Sequence, residues 1–461
     1  MSLDKCFQES TPVVGIRAMH LDCKGVPPTP SRLVELVEVA AGLRFNAIVV
    51  EWEDMFPWML DRRIRCETAY TPEDITAFSR RAAELGVEII PLVQCLGHME
   101  FVLKLADYAH LRELPDSVSC LNPLAEGSRQ LIETLVDEVL ALMPSLKHFH
   151  LGGDEAWTFG KGPETKAYVD KHGKGALYLH HVGPILDKLA EAGIRPMLWH
   201  DMMLSWDADA LRRMGEKADL VVWGYSGDPE NMGDHVNADV FKRFADCGVP
   251  LWGATAYKGA DGHNVDLPNF DNRCNNAAAW AKIAGKYNLK GVITTAWSRY
   301  MHLELQCEPI DGALDSLAGH GFILHDGRLP DGGRDACVAA LETLGQKQRF
   351  EACRDALQAL TDFRRDGWLM VQQLREELVV IRCDLRRHAT AQMSLANIVR
   401  HVRKGRDIAR NVQDSLHGSI DPLWVQRYLD SRIEPLRVEV AEIEHLVQQA
   451  EQWARDAKAR V

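Results

Sequence analysis

Short apolar runs alternate with longer segments of helical period from Val13 to Trp297. Strands buried on both faces read as continuous apolar runs, and amphipathic helices repeat their apolar residues every three or four positions. Helices are predicted between the runs, for example at Ser31–Leu43, Pro72–Leu85, Arg129–Met143 and Leu177–Ala192. The runs themselves predict strands at Val14–Leu21, Ala47–Glu51, Val87–Val93, His148–Gly152, Arg195–His200, Leu220–Trp223, Leu251–Ala256 and Gly291–Ala296.

Eight strands that alternate with helices predict an α/β fold, a (β/α)₈ TIM barrel over residues 1–330. An open parallel sheet with helices on both faces is the alternative. After Gly332-Gly333 the strand pattern stops, and apolar stripes such as Leu436, Val440 and Ile443 repeat with helical period. Residues 331–461 are therefore predicted to form a C-terminal all-helical domain, and its long amphipathic helices suggest a homodimer.

Composition narrows the class of protein. The 461 residues carry a formal net charge of -13, which argues against a nucleic-acid partner or an anionic membrane surface. No apolar run is long enough to span a bilayer and no signal-peptide pattern is present, so a cytoplasmic protein is expected. The 11 cysteines lack C-x-x-C spacing, which favours buried free thiols over disulfides or zinc sites.

Candidate functional residues lie just after the predicted strands. In (β/α)₈ barrels the functional groups lie at the C-terminal ends of the strands. The fourth run leads through Gly152-Gly153 into the adjacent carboxyls Asp154 and Glu155. Glycines allow the chain to leave the strand there, so that both side chains face one pocket. Neighbouring carboxyls repel as anions, which lets one act as an acid and the other as a charged stabiliser. Trp199, Trp223 and Trp297 at other strand ends offer flat walls for the C–H faces of a sugar.

These residues carry a family resemblance. His150-Leu-Gly-Gly-Asp-Glu155 resembles the H-x-G-G-D-E signature of family 20 glycoside hydrolases, the β-N-acetylhexosaminidases, and the wider pattern is similar to the hexosaminidase D group of that family. The other matching stretches are Glu51-Trp-Glu-Asp-Met-Phe-Pro57, Gly97-His-Met-Glu-Phe-Val-Leu103, Tyr257-Lys-Gly-Ala-Asp-Gly262 and Trp297-Ser-Arg-Tyr300. The resemblance covers roughly residues 12–320 and implies a retaining exo-enzyme that removes terminal β-linked N-acetylglucosamine or N-acetylgalactosamine from a glycan, without cofactor or metal.

The resemblance also implies roles for individual residues. Glu155 would protonate the leaving oxygen and later activate water, while Asp154 would orient the substrate's acetamido group, whose own oxygen attacks C1 in this exception to the two-carboxylate scheme. Arg17 and His98 resemble sugar-contacting residues of the family. Trp223 and Trp297 would form the walls of the sugar site, and Trp199, Asp201 and Glu308 complete the expected set.

Two points stay open on the sequence. Tyr257 is preferred as the donor to the acetamido oxygen, with Tyr225 as its rival. Many family members place a Glu soon after the last-strand Trp to grip the outer hydroxyls, whereas Ser298-Arg299 follow Trp297 here and the first acidic candidates are Glu304 and Glu308. The preference between the gluco and galacto configurations is therefore not decided.

Two other classes of protein compete with this interpretation. Metal-dependent hydrolases also use (β/α)₈ barrels, and strand-end residues could be recruited as ligands. Alternatively, the barrel could bind glycans without catalysis, although a binder has no use for a desolvated acid beside an anion. The residues available as metal ligands are His20, Asp22, His98, His148, His150, His200 and Asp201.

Overall fold

A closed barrel of eight parallel strands forms the centre of the protein. The computed structural model describes residue 7, residues 11–381, residue 384 and residues 387–459. Each strand pairs with the next along the chain and the eighth pairs with the first, so the predicted TIM barrel is confirmed and the open sheet is excluded. The strands are β1 Ile16–Asp22, β2 Ala47–Glu51, β3 Glu88–Leu92, β4 His148–His150, β5 Arg195–Trp199, β6 Asp219–Trp223, β7 Leu251–Lys258 and β8 Gly291–Ala296.

Helices follow the strands and cover the outside of the barrel. Several begin where the sequence signals a start: Thr71 before Pro72 and Asp74 in the first helical turn, for example, form a reciprocal capping box. No helix in the described part of the chain is long and apolar enough to cross a membrane. The helices of the barrel and its edge are α1 Pro30–Gly42, α2 Pro72–Glu84, α3 Glu100–Leu103, α4 Ser128–Leu142, α5 Pro163–His172, α6 Lys174–Glu191, α7 Ala208–Lys217, α8 Ala238–Asp246, α9 Phe270–Ala284, α10 Leu314–Asp326 and α11 Gly333–Thr343.

Alternate residues of each strand point into the barrel or out toward the helices. The barrel interior is filled by side chains of mixed size, including Val49, Ile90 and Met197, with Trp199 and Trp252 as the bulky members. The interior is therefore a packed core, and pockets can form only at the ends of the barrel; in barrels of this type the functional pocket lies at the C-terminal strand ends.

The C-terminal helices form a second apolar core. They are α12 Lys347–Ile381, α13 His388–Arg403, α14 Gly405–Ser415 and α15 Pro422–Ala459, and together they are called the helical region below. The division between the two cores falls inside α12, since Phe350 joins the barrel core and Cys353 joins the second core. Helix α11 packs with the barrel, because Leu341 belongs to that core. The helical region thus begins later than the predicted boundary at residue 331.

The described cysteines are free, and most of them are buried.

Candidate active site

The chain turns sharply after β4, and the two glycines make the turn possible. Gly152 and Gly153 have φ angles of 58° and 79°, in the left-handed region that favours glycine. A Cβ on Gly152 would collide with the side-chain oxygen of Gln94, and one on Gly153 would collide with the Tyr178 hydroxyl. Both neighbours hold the turn, because Gln94 Oε1 accepts from Gly153 N at 3.1 Å and the Tyr178 hydroxyl donates to Gly153 O at 3.1 Å.

Two catalytic candidates have strained backbones. Glu155 has φ 45° and His98 has φ 54°, although neither is glycine. Such angles cost about 1–3 kcal/mol each and persist only where the surroundings impose them. A Cβ at Gly97 would meet the carbonyl oxygen of Asp154, so the chain segments that carry His98 and the carboxyl pair are in direct backbone contact.

His98 bridges the two carboxylates. Its Nε2 lies 3.5 Å from Asp154 Oδ2 and 3.5 Å from Glu155 Oε2. Burial alone would lower the pKa of His98, but the negative charge of Asp154 raises it well above its ordinary value. Burial alone would likewise raise the pKa of Asp154, and the imidazolium of His98 holds it below its ordinary value. The pair is thus a buried ion pair, with Asp154 as the anion.

Asp201 supports the carboxyl pair from the loop after β5. Its Oδ2 accepts from Glu155 N at 2.9 Å and its Oδ1 accepts from the indole Nε1 of Trp223 at 3.3 Å. Burial, together with the charge of Asp154, raises the pKa of Asp201 to about 7. Asp201 therefore positions one catalytic candidate and one aromatic wall at the same time.

Below the turn, His150 is a neutral histidine of the barrel floor. Its Nδ1 accepts from Gly152 N at 2.9 Å, and burial lowers its pKa to about 3. Trp199 packs against this imidazole with ring centroids 4.3 Å apart and is 1% exposed. Trp199 therefore lies beneath the site and does not line it, contrary to the expected role in sugar contact.

Three aromatic rings form the walls of the site. Tyr225 stacks on Trp223 with ring centroids 5.5 Å apart, and its ring centroid lies 6.3 Å from that of Trp297. Burial raises the pKa of Tyr225 well above its ordinary value, so its hydroxyl stays neutral and can donate. These walls and the carboxyl pair enclose one cavity of about 390 Å³, within the range of about 300–1,000 Å³ usual for small-molecule pockets.

Loops complete the cavity with residues that sequence reasoning missed. Trp157 comes from the turn after β4, and the others come from the loops after β7 and β8. No periodic pattern marks these loop positions, although Trp157 stands two residues from Glu155 in the signature stretch. The lining residues to which the sequence assigns no role are Trp157, Gly259, Ala260, His263, Tyr300 and Met301, although Gly259, Ala260 and Tyr300 lie in the stretches that match the family. Glu304, an acidic candidate on the sequence, also lines the cavity.

A buried ion cluster lies behind Trp297. Lys24 Nζ lies 2.8 Å from Glu51 Oε2 and 3.0 Å from Asp22 Oδ2, and 5.0 Å from the centroid of the Trp297 ring. Asp22 Oδ2 also accepts from Ser298 N at 2.7 Å. Burial raises the pKa of Glu51 to about 7, while its charged neighbour Lys24 opposes this shift. The cluster ties the ends of β1, β2 and β8 together under an aromatic wall.

The prediction that Arg17 contacts the sugar is wrong. Arg17 is the second residue of β1, at the end of the barrel opposite to the cavity. Its guanidinium donates to the carbonyl oxygens of Arg44 at 2.7 Å and Val14 at 2.8 Å. The position within the strand already indicated this placement, because chemistry in these barrels lies at the C-terminal strand ends.

The preference for Tyr257 over Tyr225 is also wrong. Tyr257 points out of the barrel toward α10, where its ring centroid lies 6.5 Å from that of His320, and its hydroxyl donates to His20 O at 3.4 Å.

Glu308 is 1% exposed and accepts from Gly259 N at 2.6 Å, so it supports the loop after β7 from below and does not line the cavity.

One group in the described part of the chain has the spacing of metal ligands: Glu53, Asp54 and His302. None of these three residues is among the ligands that the metal-hydrolase interpretation would use. His302 Nδ1 lies 2.7 Å from Glu53 Oε2, and Lys104 Nζ lies 2.6 Å from His302 Nε2, where it donates. The imidazole therefore uses both nitrogens within a protein network of acids and bases, and none of the three residues lines the cavity.

A family model described as the catalytic domain of glycosyl hydrolase family 20 matches residues 58–307, more than half of the chain. The chain belongs to glycosyl hydrolase family 20. Its relatives include Hexosaminidase D of Homo sapiens, 34% identical over 314 residues, and Hexosaminidase D of Bos taurus, also 34% identical over 314 residues. Each alignment covers 66% of this chain; it spans 64% of the human protein and 90% of the bovine one.

Solved structures of the family share the fold. The beta-N-acetylhexosaminidase from Bacteroides fragilis NCTC 9343 superposes with a TM-score of 0.56 at 15% sequence identity, covering 75% of this chain and 76% of that chain. At this level of identity the comparison supports the barrel architecture of a family 20 member and nothing finer.

Proposed function

We propose that this family 20 member is a retaining exo-β-N-acetylhexosaminidase that works by substrate-assisted catalysis. The observation that carries the proposal is the Asp154–Glu155 pair, bridged by His98 at the base of an aromatic-lined cavity. Asp154 Oδ1 is buried and has no hydrogen-bond partner within the described residues. A buried acceptor that faces a cavity is unfavourable unless a ligand donor fills it, and an acetamido N–H is such a donor.

In the first step, the acetamido oxygen of the substrate attacks C1 and the glycosidic C–O bond breaks. Glu155 gives its proton to the departing oxygen, and the positive charge spreads over the new oxazolinium ring. Asp154 is an anion that can stabilise this positive charge, because the ion pair with His98 keeps its pKa low. An anion preorganised in a pocket with little water stabilises developing positive charge more strongly than water does.

In the second step, a water molecule attacks C1 from the side that the leaving group vacated. Glu155, now a carboxylate, takes a proton from that water, and the C1–O bond to the acetamido oxygen breaks to restore the N-acetyl group. Two inversions at C1 give net retention. The side chain of Glu155 is 31% exposed to solvent, which suits a group that must contact both a leaving oxygen and water.

The walls fit an N-acetylhexosamine. Trp223 and Trp297 offer apolar faces to the ring and the acetamido methyl, and we assign the donor to the acetamido oxygen to Tyr225, which lines the cavity. For the outer hydroxyls, Glu304 and His263 lie at the rim, with Glu304 Oε2 3.7 Å from His263 Nδ1. A rim with two polar side chains does not select one configuration of the outer hydroxyls as a single carboxylate would. We therefore expect both β-N-acetylglucosaminides and β-N-acetylgalactosaminides to be hydrolysed.

The first test measures release of an aryl leaving group from both N-acetylhexosaminides in the presence of excess chelator. We expect turnover in the wild type, loss of most activity in Glu155→Gln and in Asp154→Asn, and full activity in Glu164→Gln, an exposed control on α5. Activity that disappears with chelator would instead favour the metal-dependent hydrolase. Sugar binding without turnover in the wild type would favour the glycan-binding protein.

A second test addresses the role of the substrate's own oxygen. Fluorine atoms on the N-acyl group withdraw electrons and weaken the carbonyl oxygen as a nucleophile. We expect kcat/KM to fall progressively from N-acetyl to N-fluoroacetyl to N-trifluoroacetyl substrates. A flat series would show that the acyl oxygen does not attack, and the substrate-assisted mechanism would be refuted.

Two further expectations from the sequence stay predictions. The helical region suggests a homodimer, which light scattering would test, and a monomeric mass would remove it. A cytoplasmic location is expected from the sequence, and fractionation of cells that produce the protein would test it.

A further inference from the structure

Trp157 is the large aromatic residue that the site leaves open to solvent. It stands two residues after Glu155, lines the mouth of the same cavity and is 63% exposed. The other cavity tryptophans, Trp223 and Trp297, are largely covered by neighbouring rings. An exposed aromatic ring at a pocket mouth is a common feature of ligand-binding surfaces, because its burial by a ligand removes apolar surface from water.

The backbone holds Trp157 at a fixed place relative to the acid. Trp157 N donates to Glu155 O at 2.7 Å, and Phe159 N donates to Ala156 O at 2.9 Å. Phe159 is buried and packs edge-on against Tyr178, with ring centroids 6.0 Å apart, and Tyr178 also holds Gly153. The turn that carries Trp157 is thus anchored to the same support as the carboxyl pair.

The proposed reaction indicates which part of the substrate the ring of Trp157 would contact. Glu155 must reach the glycosidic oxygen, so the group on the far side of that oxygen lies beyond Glu155, away from Asp154 and the inner walls. Trp157 follows Glu155 by two residues and lines the same cavity. His263 and Glu304 also line this cavity, and their polar side chains are partly exposed.

We propose that Trp157 is the stacking platform for the leaving sugar. The bound substrate would then be a glycan whose terminal N-acetylhexosamine is linked to a second pyranose ring, the C–H face of which packs on the indole. Its hydroxyls would meet the polar rim formed by His263 and Glu304. This inference rests on the proposed function, since it uses Glu155 as the proton donor.

The test compares two substrates that share the terminal sugar and an alkoxide-type leaving group: N,N′-diacetylchitobiose, whose leaving group is a pyranose, and methyl β-N-acetylglucosaminide, whose leaving group has no ring. In Trp157→Ala we expect kcat/KM for the disaccharide to fall about tenfold, the effect of losing one aromatic contact surface, with less than a twofold change for the methyl glycoside. Trp157→Phe should restore most of the disaccharide activity. Trp368→Ala, which removes an exposed tryptophan of α12, serves as the matched control and should change neither rate.

The outcomes separate the two proposals. Equal losses on both substrates would mean that Trp157 only supports the position of Glu155, and no loss on either would mean that the leaving sugar does not touch it; each overturns the inference and leaves the proposed function intact. A wild-type protein that hydrolyses neither these substrates nor the aryl glycosides would overturn both.

Discussion

Replacing Asp201 by asparagine should disturb the positions of both Glu155 and Trp223. The carboxylate accepts from Glu155 N with one oxygen and from Trp223 Nε1 with the other. Asparagine has the same shape but only one acceptor oxygen, so its NH₂ group must face one of these two N–H donors. One hydrogen bond is lost and two donors oppose each other.

The size of the effect follows from the bond that is lost. Above pH 7, where Asp201 is charged, a hydrogen bond to its carboxylate contributes about 1.5–3 kcal/mol, and each 1.4 kcal/mol of lost transition-state stabilisation is tenfold in rate. If the whole loss is expressed in the transition state, kcat/KM should fall by about 10- to 150-fold in Asp201→Asn. Loss of the bond to Glu155 should lower kcat, whereas release of the Trp223 wall should raise KM.

The assay is steady-state hydrolysis of an aryl β-N-acetylglucosaminide, with thermal unfolding measured in parallel. Asp219→Asn is a matched control, because Asp219 accepts from Arg195 Nε at 2.7 Å and from the indole Nε1 of Trp252 at 2.9 Å, at the other end of the barrel. It should lose stability but keep kcat/KM. The reasoning is refuted if Asp201→Asn stays within twofold of the wild type, or if the control loses as much activity.

Three further predictions concern the frame of the site. Gly97→Ala forces a Cβ onto the carbonyl oxygen of Asp154 and should reduce kcat at least tenfold, whereas Gly183→Ala, which meets open space on α6, should not change kcat. Lys24→Met removes the cation that Asp22 and Glu51 share and should lower the free energy of unfolding by about 3–5 kcal/mol in denaturant titrations above pH 7, where Glu51 is charged; an unchanged value would mean that the cluster repacks. Burial raises the pKa of Glu51 from 4.5 to about 7, so the folded protein keeps a proton there that the unfolded chain has released, and this contribution to stability is present below pH 4.5 and is lost as pH rises to 7. The fall should be shallower in Glu51→Gln when unfolding is measured between pH 5 and 8, and equal slopes would contradict the assignment.

Much of the fold could be read from the sequence because both faces of a barrel strand are buried. The predicted bounds of β2 and β8 agree with the structure, and the others differ by one or two residues at most at either end. The signature turn was readable because Gly152 and Gly153 adopt left-handed φ angles, a requirement of the local backbone that glycine meets best. Such local requirements leave a local pattern.

The errors fall where placement depends on strand register. Trp252 and Ala254 point into the barrel, so alternation along β7 directs Thr255 and Tyr257 outward, toward the helices. The register shifts between Ala256 and Lys258, so the outward position of Tyr257 is established by its contact with His320 and not by alternation in the sequence alone. By contrast, nothing local could link Glu53 to His302, which lie 249 residues apart and meet only when the barrel closes.

The helical region shows how a separate core can still serve the site. Asp266, in the loop after β7, accepts from Arg432 Nε of α15 at 2.8 Å, and the same guanidinium donates to Gln306 O, in the loop after β8, at 2.5 Å. Arg432 is fully buried, so water does not compete for these bonds. The two loops that it joins carry His263 and Glu304, the polar rim of the cavity. An apolar stripe could predict that α15 is a helix, but a buried arginine on that helix helps to hold both rim loops, and a single charged residue in a helical pattern gives no sign of what it holds.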